Sequence, residues 1–216
     1  MPKSAPLHID IWSDIVCPFC FIGRQHLNLA LETFRKDHPE REITLRWRSF
    51  ELDPQAPTND TRSMAEILSQ KYGRTPDETL AMMDNTQNMA KASGLDMNLK
   101  TVKRINTHHL HRLLHLAREQ NRQDALKAAL MHAYFVDNLD LSDTEHCVKI
   151  AQKVGLDPEG VKTVLNTDQY TEDVRADQSL GREYGIQGVP FFVFNEKLGV
   201  SGAQPVSVLI QALEQA

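Results

Sequence analysis

The chain has 216 residues, of which 41% are apolar and 25% are charged, and its formal net charge is -5. This composition is typical of a globular protein and excludes a disordered or membrane-embedded chain, and no stretch approaches the roughly 18 apolar residues of a membrane span. The acidic balance and the absence of any block of Lys and Arg argue against a nucleic-acid partner.

The first part of the sequence predicts a β-α-β unit. Residues 7–13 alternate between apolar and polar side chains and predict a strand. Pro18 suits the first position of a helix, and residues 21–38 continue with apolar side chains at helical spacing. Residues 42–50 alternate again and predict a second strand, which the helical crossover makes parallel to the first.

The middle of the chain predicts helices alone. From about Ser63 to Tyr184 almost every segment has helical periodicity. Pro76 predicts the start of one helix, the SDTE sequence at Ser142–Glu145 predicts a capping box, and Gly155 predicts a helix C-cap. We therefore expect an inserted helical domain at residues 63–169.

The C-terminal part of the sequence returns to strands. VPFFVF at 189–194 and GVSG at 199–202 predict a β-hairpin, and residues 205–216 predict a helix behind it. The simplest assembly is an α/β domain of residues 1–62 and 170–216, in which helices flank a four-stranded mixed sheet. In this arrangement two cysteines fall at the C-terminal end of the first strand, where open α/β sheets place reactive groups.

These two cysteines, Cys17 and Cys20, form a CPFC motif at the predicted start of the first helix. With Cys17 as the N-cap and Cys20 in the first turn, the pair is predicted to lie within disulfide reach. The amides of the first turn and the helix dipole are expected to lower the pKa of Cys17 below about 8.5, although Asp14 would oppose this if it pointed at the sulfur. We predict Cys17 as the attacking thiolate and Cys20 as the resolving thiol of disulfide exchange.

A structural zinc site is an alternative use of the pair. Such a site needs four ligands, and the remaining cysteine, Cys147, falls on the predicted core face of a helix, where a small buried side chain is expected.

The N-terminal segment lacks the apolar core of a secretory signal, so we expect a cytoplasmic protein. Because cytosolic thiols are kept reduced, a CxxC pair there is catalytic or metal-binding rather than a permanent crosslink.

Three histidines, His108, His111 and His115, share one side of a predicted helix. Such a row can bind a metal or tune a thiolate if it faces the cysteines, and His111 is the candidate to line the site. The other interpretation is a polar helix face or a seam between domains, since no carboxylates stand at metal spacing.

The motifs together resemble a known family. CPFC after a first strand, GVPFFVF at the late hairpin and the long helical insert are similar to the DsbA-like branch of the thioredoxin superfamily. The segments DIVCPFCFIG, FELDP, NTHHLHRLLHLA, GIQGVPFFVFN and VSGAQP resemble its FrnE-type subgroup of predominantly cytoplasmic dithiol-disulfide oxidoreductases. The resemblance covers nearly the whole chain and implies a thioredoxin-like fold.

The resemblance also implies a cis peptide bond before Pro190, and a turn of Val189 and Pro190 that lies against the cysteine pair. The backbone of this turn would receive an extended substrate peptide by strand addition. Pro18 and Phe19, between the two thiols, complete the expected substrate-binding residues. In relatives the proline also keeps metal away from the sulfurs, which counts against zinc.

The predicted function is a thiol-disulfide oxidoreductase or isomerase that acts on protein or peptide thiols, without a cofactor and with glutathione as a candidate redox partner. The alternative is a glutathione-dependent isomerase or transferase with a small aromatic or polyketide-like substrate, similar to kappa-class transferases and 2-hydroxychromene-2-carboxylate isomerases of the same branch. Those enzymes carry serine at the position of Cys17, so the two thiols favour disulfide exchange. A homodimer is compatible with the sequence.

Overall fold

The structure, a computed structural model, describes residues 5–57 and 60–216. The chain divides into two compact units. The first reaches Leu52 and resumes at Thr171, and the second runs from Asp53 to Tyr170. None of the helices in the described ranges is long and apolar enough to cross a membrane.

Strands and helices follow the predicted β-α-β, helical and β-β-α order. In the described residues they are β1 (Leu7–Ser13), α1 (Pro18–Asp37), β2 (Ile43–Ser49), α2 (Met64–Tyr72), α3 (Pro76–Ala92), α4 (His108–Glu119), α5 (Gln123–Phe135), α6 (Thr144–Lys153), α7 (Pro158–Asn166), α8 (Thr171–Glu183), β3 (Phe191–Phe194), β4 (Leu198–Ser201) and α9 (Val206–Gln215). The predicted α/β class is confirmed, and β2 is one residue shorter at each end than the range 42–50.

A mixed sheet forms the centre of the first unit, with strand order β2-β1-β3-β4. β1 and β2 are parallel, with Leu7 opposite Ile43 and Ser13 opposite Ser49. β3 runs antiparallel to both β1 and β4. Because α1 follows β1 after a short turn, the CPFC motif lies at the C-terminal end of a central strand.

One face of the sheet carries an apolar cluster shared with α1 and α9. The alternation of β1 directs Leu7, Ile9 and Ile11 to this face, where they are fully buried. The cluster also contains buried side chains of α1, β3 and α9, among them Leu27, Leu31, Phe34, Phe192, Phe194, Leu209 and Leu213. Burial of each side chain of this size contributes about 1.5–3 kcal/mol, so the cluster holds α1 firmly on the sheet.

The opposite face of the sheet binds α8 through buried polar groups. The indole Nε1 of Trp12 donates to the carbonyl of Asp177 at 2.8 Å. Arg48 of β2 donates to the carboxylates of Asp10 at 2.5 Å and Asp177 at 2.8 Å. Asp177 also accepts the backbone N–H of Ser49 at 3.0 Å, so this charged network joins α8 to β1 and β2.

The second unit is built from the helices α2–α7. α4 packs against α5 and α7, and α6 packs against the same two helices. Arg112 of α4 is buried, and its guanidinium donates to the carbonyls of Val164, Thr167 and Gln169 at the end of α7. These bonds satisfy carbonyl groups that the end of a helix leaves without partners.

Two of the predicted helix ends lie where the sequence indicates, within a residue. Pro76 is the first residue of α3, with Thr75 as its N-cap. Gly155 follows Val154, the C-cap of α6, and takes the left-handed conformation with φ 89° that glycine adopts most readily.

The predicted capping box at Ser142–Glu145 is wrong. The N-cap of α6 is Asp143, whose carboxylate accepts the N–H of Glu145 at 2.9 Å. Ser142 lies one residue too early, and its hydroxyl donates to the carboxylate of Asp140. Aspartate and serine are both favoured N-caps, so the sequence alone did not separate them.

Candidate active site

Cys17 and Cys20 stand at the start of α1. Cys17 is the N-cap, in an extended conformation with φ -90° and ψ 113°, and Pro18 is the first residue of the helix, both as predicted. The carbonyl of Cys17 accepts the first helical hydrogen bonds, from the N–H groups of Cys20 at 3.1 Å and Phe21 at 3.2 Å. The two side chains, both free thiols, are hydrogen-bonded to each other and buried. This contact is what closure of a disulfide requires.

The turn before β3 lies against Cys17. The peptide bond between Val189 and Pro190 is cis. Cys17 Sγ donates to the carbonyl oxygen of Val189 at 3.6 Å. The turn is also bonded to the end of β4, because the N–H of Gly202 donates to the carbonyl of Pro190 at 2.8 Å. The fold thus brings the cysteine pair and this turn together from opposite ends of the sequence.

Gly23, in the second turn of α1, faces the same turn. A Cβ at this position would lie 2.9 Å from Cγ of Pro190 and 3.3 Å from Cζ of Phe192. Both distances are shorter than ordinary carbon contacts, so glycine lets α1 approach the turn this closely. Gly23 was not among the predicted site residues, although a glycine inside a helical pattern is a signal of close packing.

The protonation of Cys17 differs from the expectation. The hydrogen bond with the Cys20 side chain, burial, and the charge of Cys20 together raise the pKa of Cys17 well above its ordinary value, and Asp14 adds to the rise. No capping hydrogen bond of good geometry reaches the sulfur, although the amide of Cys20 is near enough to lower the pKa in part. The predicted lowering of the Cys17 pKa is therefore wrong for this conformation, in which the hydrogen bond with Cys20, burial and like charge outweigh the helix terminus.

Asp14, between β1 and the cysteines, has a side chain with no exposed surface. Its carboxylate accepts the N–H groups of Ile15 at 2.7 Å and Leu52 at 2.8 Å. Its carbonyl oxygen accepts the N–H of Cys17 at 3.4 Å. Asp14 therefore connects the segment before α1 to the segment after β2, a role that the sequence did not reveal because Leu52 is distant along the chain.

The predicted substrate-binding residues differ in their exposure. Phe19 is 41% exposed between two cysteines that are 3% and 0% exposed. Pro18 and Val189 are partly exposed, and Pro190 is buried. Phe19, Pro18 and Val189 thus expose apolar surface next to the two sulfurs.

His111, the predicted site-lining residue, lies on α4 in the second unit and is fully buried. His115 is also buried, and its ring stacks on that of Tyr170 with centroids 6.3 Å apart. The interpretation of the histidine row as a polar helix face is wrong for these two, because every residue from Leu110 to Ala117 is buried.

The described part of the chain does not offer the ligand set of a zinc site. Within residues 5–57 and 60–216, no group of three or more His, Cys, Asp or Glu side chains is arranged to hold a metal ion. Cys147 of α6 is buried, and its thiol donates to the carbonyl of Leu141 at 3.3 Å. Burial raises the pKa of Cys147 to about 12, so this thiol stays protonated and behaves as the predicted core side chain.

The fold is that of a known class of proteins. The sequence matches the family of DSBA-like thioredoxin domains over residues 8–214. The chain therefore belongs to this family, and the predicted resemblance is confirmed at the level of the DsbA-like branch.

The chain is also similar to individual proteins. A probable DsbA oxidoreductase from Streptomyces coelicolor is 39% identical, with a TM-score of 0.89 over 97% of this chain and 89% of that one. The uncharacterised protein YwbO of Bacillus subtilis (strain 168) is 27% identical over 96% of each chain. The cytosolic disulfide reductase DsbM of Pseudomonas aeruginosa, in a structure with glutathione, shares the fold with a TM-score of 0.64 at 13% identity, over 96% of this chain and 98% of that one.

Proposed function

We propose that the protein is a dithiol-disulfide oxidoreductase that exchanges disulfides with protein or peptide substrates through Cys17 and Cys20. One observation carries the proposal: the two thiols are in contact at the start of α1, and Cys17 Sγ lies 3.6 Å from the carbonyl of Val189. Membership in the DSBA-like family supports the same chemistry.

The proposed reaction has two exchange steps. Cys17 loses its proton, and its thiolate attacks one sulfur of a substrate disulfide. The substrate S–S bond breaks, a mixed disulfide with Cys17 forms, and the first substrate sulfur leaves and takes up a proton. Cys20 then loses its proton and attacks Cys17 Sγ, which releases the second substrate thiol and forms the Cys17–Cys20 disulfide. The pair has given two electrons and two protons to the substrate, and the reverse sequence oxidises a substrate dithiol.

The surroundings of Cys17 support an extended peptide as the substrate. The carbonyl of Val189 is the backbone acceptor next to the attacking sulfur, and a peptide that pairs with this turn would bring its own sulfur to Cys17. Phe19 offers an exposed aromatic surface beside the pair, and aromatic side chains bury a large apolar area on binding. We therefore assign substrate contacts to Val189 and Phe19, with Pro18 and Pro190 shaping the surface between them.

The finer assignment follows from the sequence motifs. We place the protein in the FrnE-type subgroup and in the cytoplasm, where glutathione keeps thiols reduced. Glutathione is then the simplest small-molecule partner to regenerate the dithiol, and the glutathione-bound DsbM structure shows that a protein of this fold accommodates it.

Trapping of the mixed disulfide tests the proposal. In the variant Cys20→Ser the second step is blocked, so disulfide-linked complexes with substrate proteins should accumulate and dissolve under reductant. The double variant Cys17→Ser/Cys20→Ser should trap nothing, whereas Cys147→Ala in the Cys20→Ser background should trap as before. The proposal fails if Cys20→Ser traps nothing and the wild type moves no disulfides in a refolding assay.

A glutathione-dependent isomerase or transferase is the second candidate. The structure of DsbM with glutathione favours the glutathione binding that this candidate requires. Such an enzyme has no use for a resolving thiol. Glutathione binding and turnover of a small aromatic substrate that both survive Cys20→Ala would favour this candidate over disulfide exchange.

A further inference from the structure

His26 is a half-buried polar residue of α1 that no step of the proposed reaction uses. Its imidazole Nδ1 lies 2.8 Å from the carbonyl oxygen of Gln204, in the loop between β4 and α9. A carbonyl oxygen only accepts hydrogen bonds, so Nδ1 carries a hydrogen and donates it. The bond therefore joins the helix that begins at the cysteine pair to a loop 178 positions further along the chain.

The loop that receives this bond is tied to the turn of the candidate site. The N–H of Gln204 donates to the carbonyl of Gly202 at 2.9 Å, and its side-chain amide donates to the carbonyl of Ser201 at 2.9 Å. The N–H of Gly202 in turn donates to the carbonyl of Pro190 at 2.8 Å. These bonds connect His26 to Pro190 through a short, internally bonded loop, so a displacement of the loop is passed on to the turn.

α1 contacts the same turn at a second place. Gly23 lies three residues before His26, on the same side of the helix. A Cβ at Gly23 would lie 2.9 Å from Cγ of Pro190, so this contact limits how closely the turn can approach α1. The bond of His26 opposes movement of the turn in the other direction, away from α1. The position of the turn matters because the carbonyl oxygen of Val189 lies 3.6 Å from Cys17 Sγ.

We propose that His26 is a positioning residue, which holds the turn of Val189 and Pro190 where an extended peptide can pair with it while the peptide's disulfide reacts with Cys17. This inference rests on the proposed function, in which the backbone of the turn receives the substrate. A small disulfide without peptide groups does not pair with the turn and needs only access to the sulfur. The bond of His26 therefore supports the reduction of peptide disulfides selectively.

The variant His26→Leu tests the inference, since it keeps an apolar side chain of similar size and removes the donor. The pre-reduced full chain is mixed with an excess of a disulfide-bonded peptide or of 2-hydroxyethyl disulfide, and second-order rate constants are measured. A misplacement of about 1 Å costs roughly 100-fold in rate, so a turn that moves by a quarter to a half of this should slow peptide reduction by about three- to tenfold. The rate with 2-hydroxyethyl disulfide should stay at the wild-type value.

Two further variants separate the hydrogen bond from the structure of α1. His26→Asn places an amide N–H near the position of Nδ1 and should restore the reduction of the peptide. His38→Leu is the matched control, because His38 is the C-cap of the same helix and its Nε2 lies 3.1 Å from the carboxylate of Glu214 in α9. At 1.5 Å per residue, His38 lies about 20 Å along the helix axis from Gly23, so this variant should keep both rates.

Each outcome decides the inference. Slower reduction of the peptide alone in His26→Leu, restored in His26→Asn and absent in His38→Leu, supports it. Unchanged peptide reduction in His26→Leu, equal slowing with both disulfides, the same selective loss in His38→Leu, or no recovery in His26→Asn overturns it while disulfide exchange stands.

A second pair of variants decides if His26→Leu does not fold. His26→Asn and His26→Asp have the same shape, but an aspartate side chain has no N–H to donate. Slower peptide reduction by the aspartate variant alone supports the inference, and equal rates overturn it. A wild type that reduces neither disulfide overturns the proposed function as well.

Discussion

Replacement of Gly23 by alanine tests the contact between α1 and the turn of the candidate site. The new Cβ would lie 2.9 Å from Cγ of Pro190 and 3.3 Å from Cζ of Phe192. The proline ring is rigid and the phenylalanine is fully buried, so neither neighbour has a free direction in which to move. The turn must shift by about half an ångström to restore ordinary contact, and the carbonyl of Val189 shifts with it.

Two opposing contributions set the size of the effect. Overpacking in a dense interior costs about 1–3 kcal/mol. Alanine inside a helix recovers about 1 kcal/mol relative to glycine. We therefore expect Gly23→Ala to lower the free energy of unfolding by about 0–2 kcal/mol. A misplacement of about 1 Å costs roughly 100-fold in rate, so half of that should slow disulfide exchange by about tenfold.

The assay compares disulfide reduction rates and urea denaturation for Gly23→Ala and a matched control, Gly160→Ala. A Cβ at Gly160 in α7 would meet the carboxylate of Asp157 at an ordinary 3.5 Å. This control should keep the wild-type rate, and its free energy of unfolding should rise by up to about 1 kcal/mol because alanine replaces a helical glycine there without a clash. Gly23→Ala with an unchanged exchange rate would show that the close approach of α1 has no role in the reaction.

Two other perturbations follow from buried groups. Asp177→Ala leaves Arg48 without one of its two carboxylates and should lower the free energy of unfolding in urea by about 3–5 kcal/mol. The control Lys162→Ala breaks an exposed pair with Glu159 and should cause no measurable change. Equal losses of stability in the two variants would contradict the role of the buried network. Cys147 holds its proton to about pH 12 in the folded chain, while a free thiol titrates near 8.5. The unfolded chain therefore binds fewer protons between these values, so stability should decline as pH rises through this range, by up to about 5 kcal/mol. Cys147→Ala should show a shallower decline in urea denaturation at a series of pH values, and identical slopes would refute this assignment.

Local patterns predicted the elements that carry the candidate site. The alternation of residues 7–13 and the run at 189–194 predicted β1 and β3, because each strand buries one face against helices. Pro18 predicted the start of α1, and with it the position of Cys17 as the N-cap. These features depend on neighbouring residues and on periodicity, which a single sequence displays.

Long-range contacts explain where the expectations failed. The helix terminus indicated a lowered pKa for Cys17, but the hydrogen bond with the Cys20 side chain raises this pKa, and the burial that adds to the rise depends on segments far away in the sequence. Pro190 and Phe192, which a Cβ at Gly23 would meet, are distant from Gly23 along the chain. Leu52, whose N–H donates to Asp14, is likewise distant from Asp14. His111 is buried because α4 lies among other helices, which its polar character did not indicate.

The most direct test is to identify which sulfurs react when the wild-type protein is equilibrated with mixtures of reduced and oxidised glutathione. Each mixture is quenched with acid, its free thiols are alkylated, and the peptides are identified by mass. We predict one reversible two-electron transition, in which a bond between Cys17 and Cys20 forms and is reduced again while Cys147 remains a thiol throughout. Continued alkylation of both Cys17 and Cys20 under strongly oxidising mixtures, or a disulfide that includes Cys147, would contradict it.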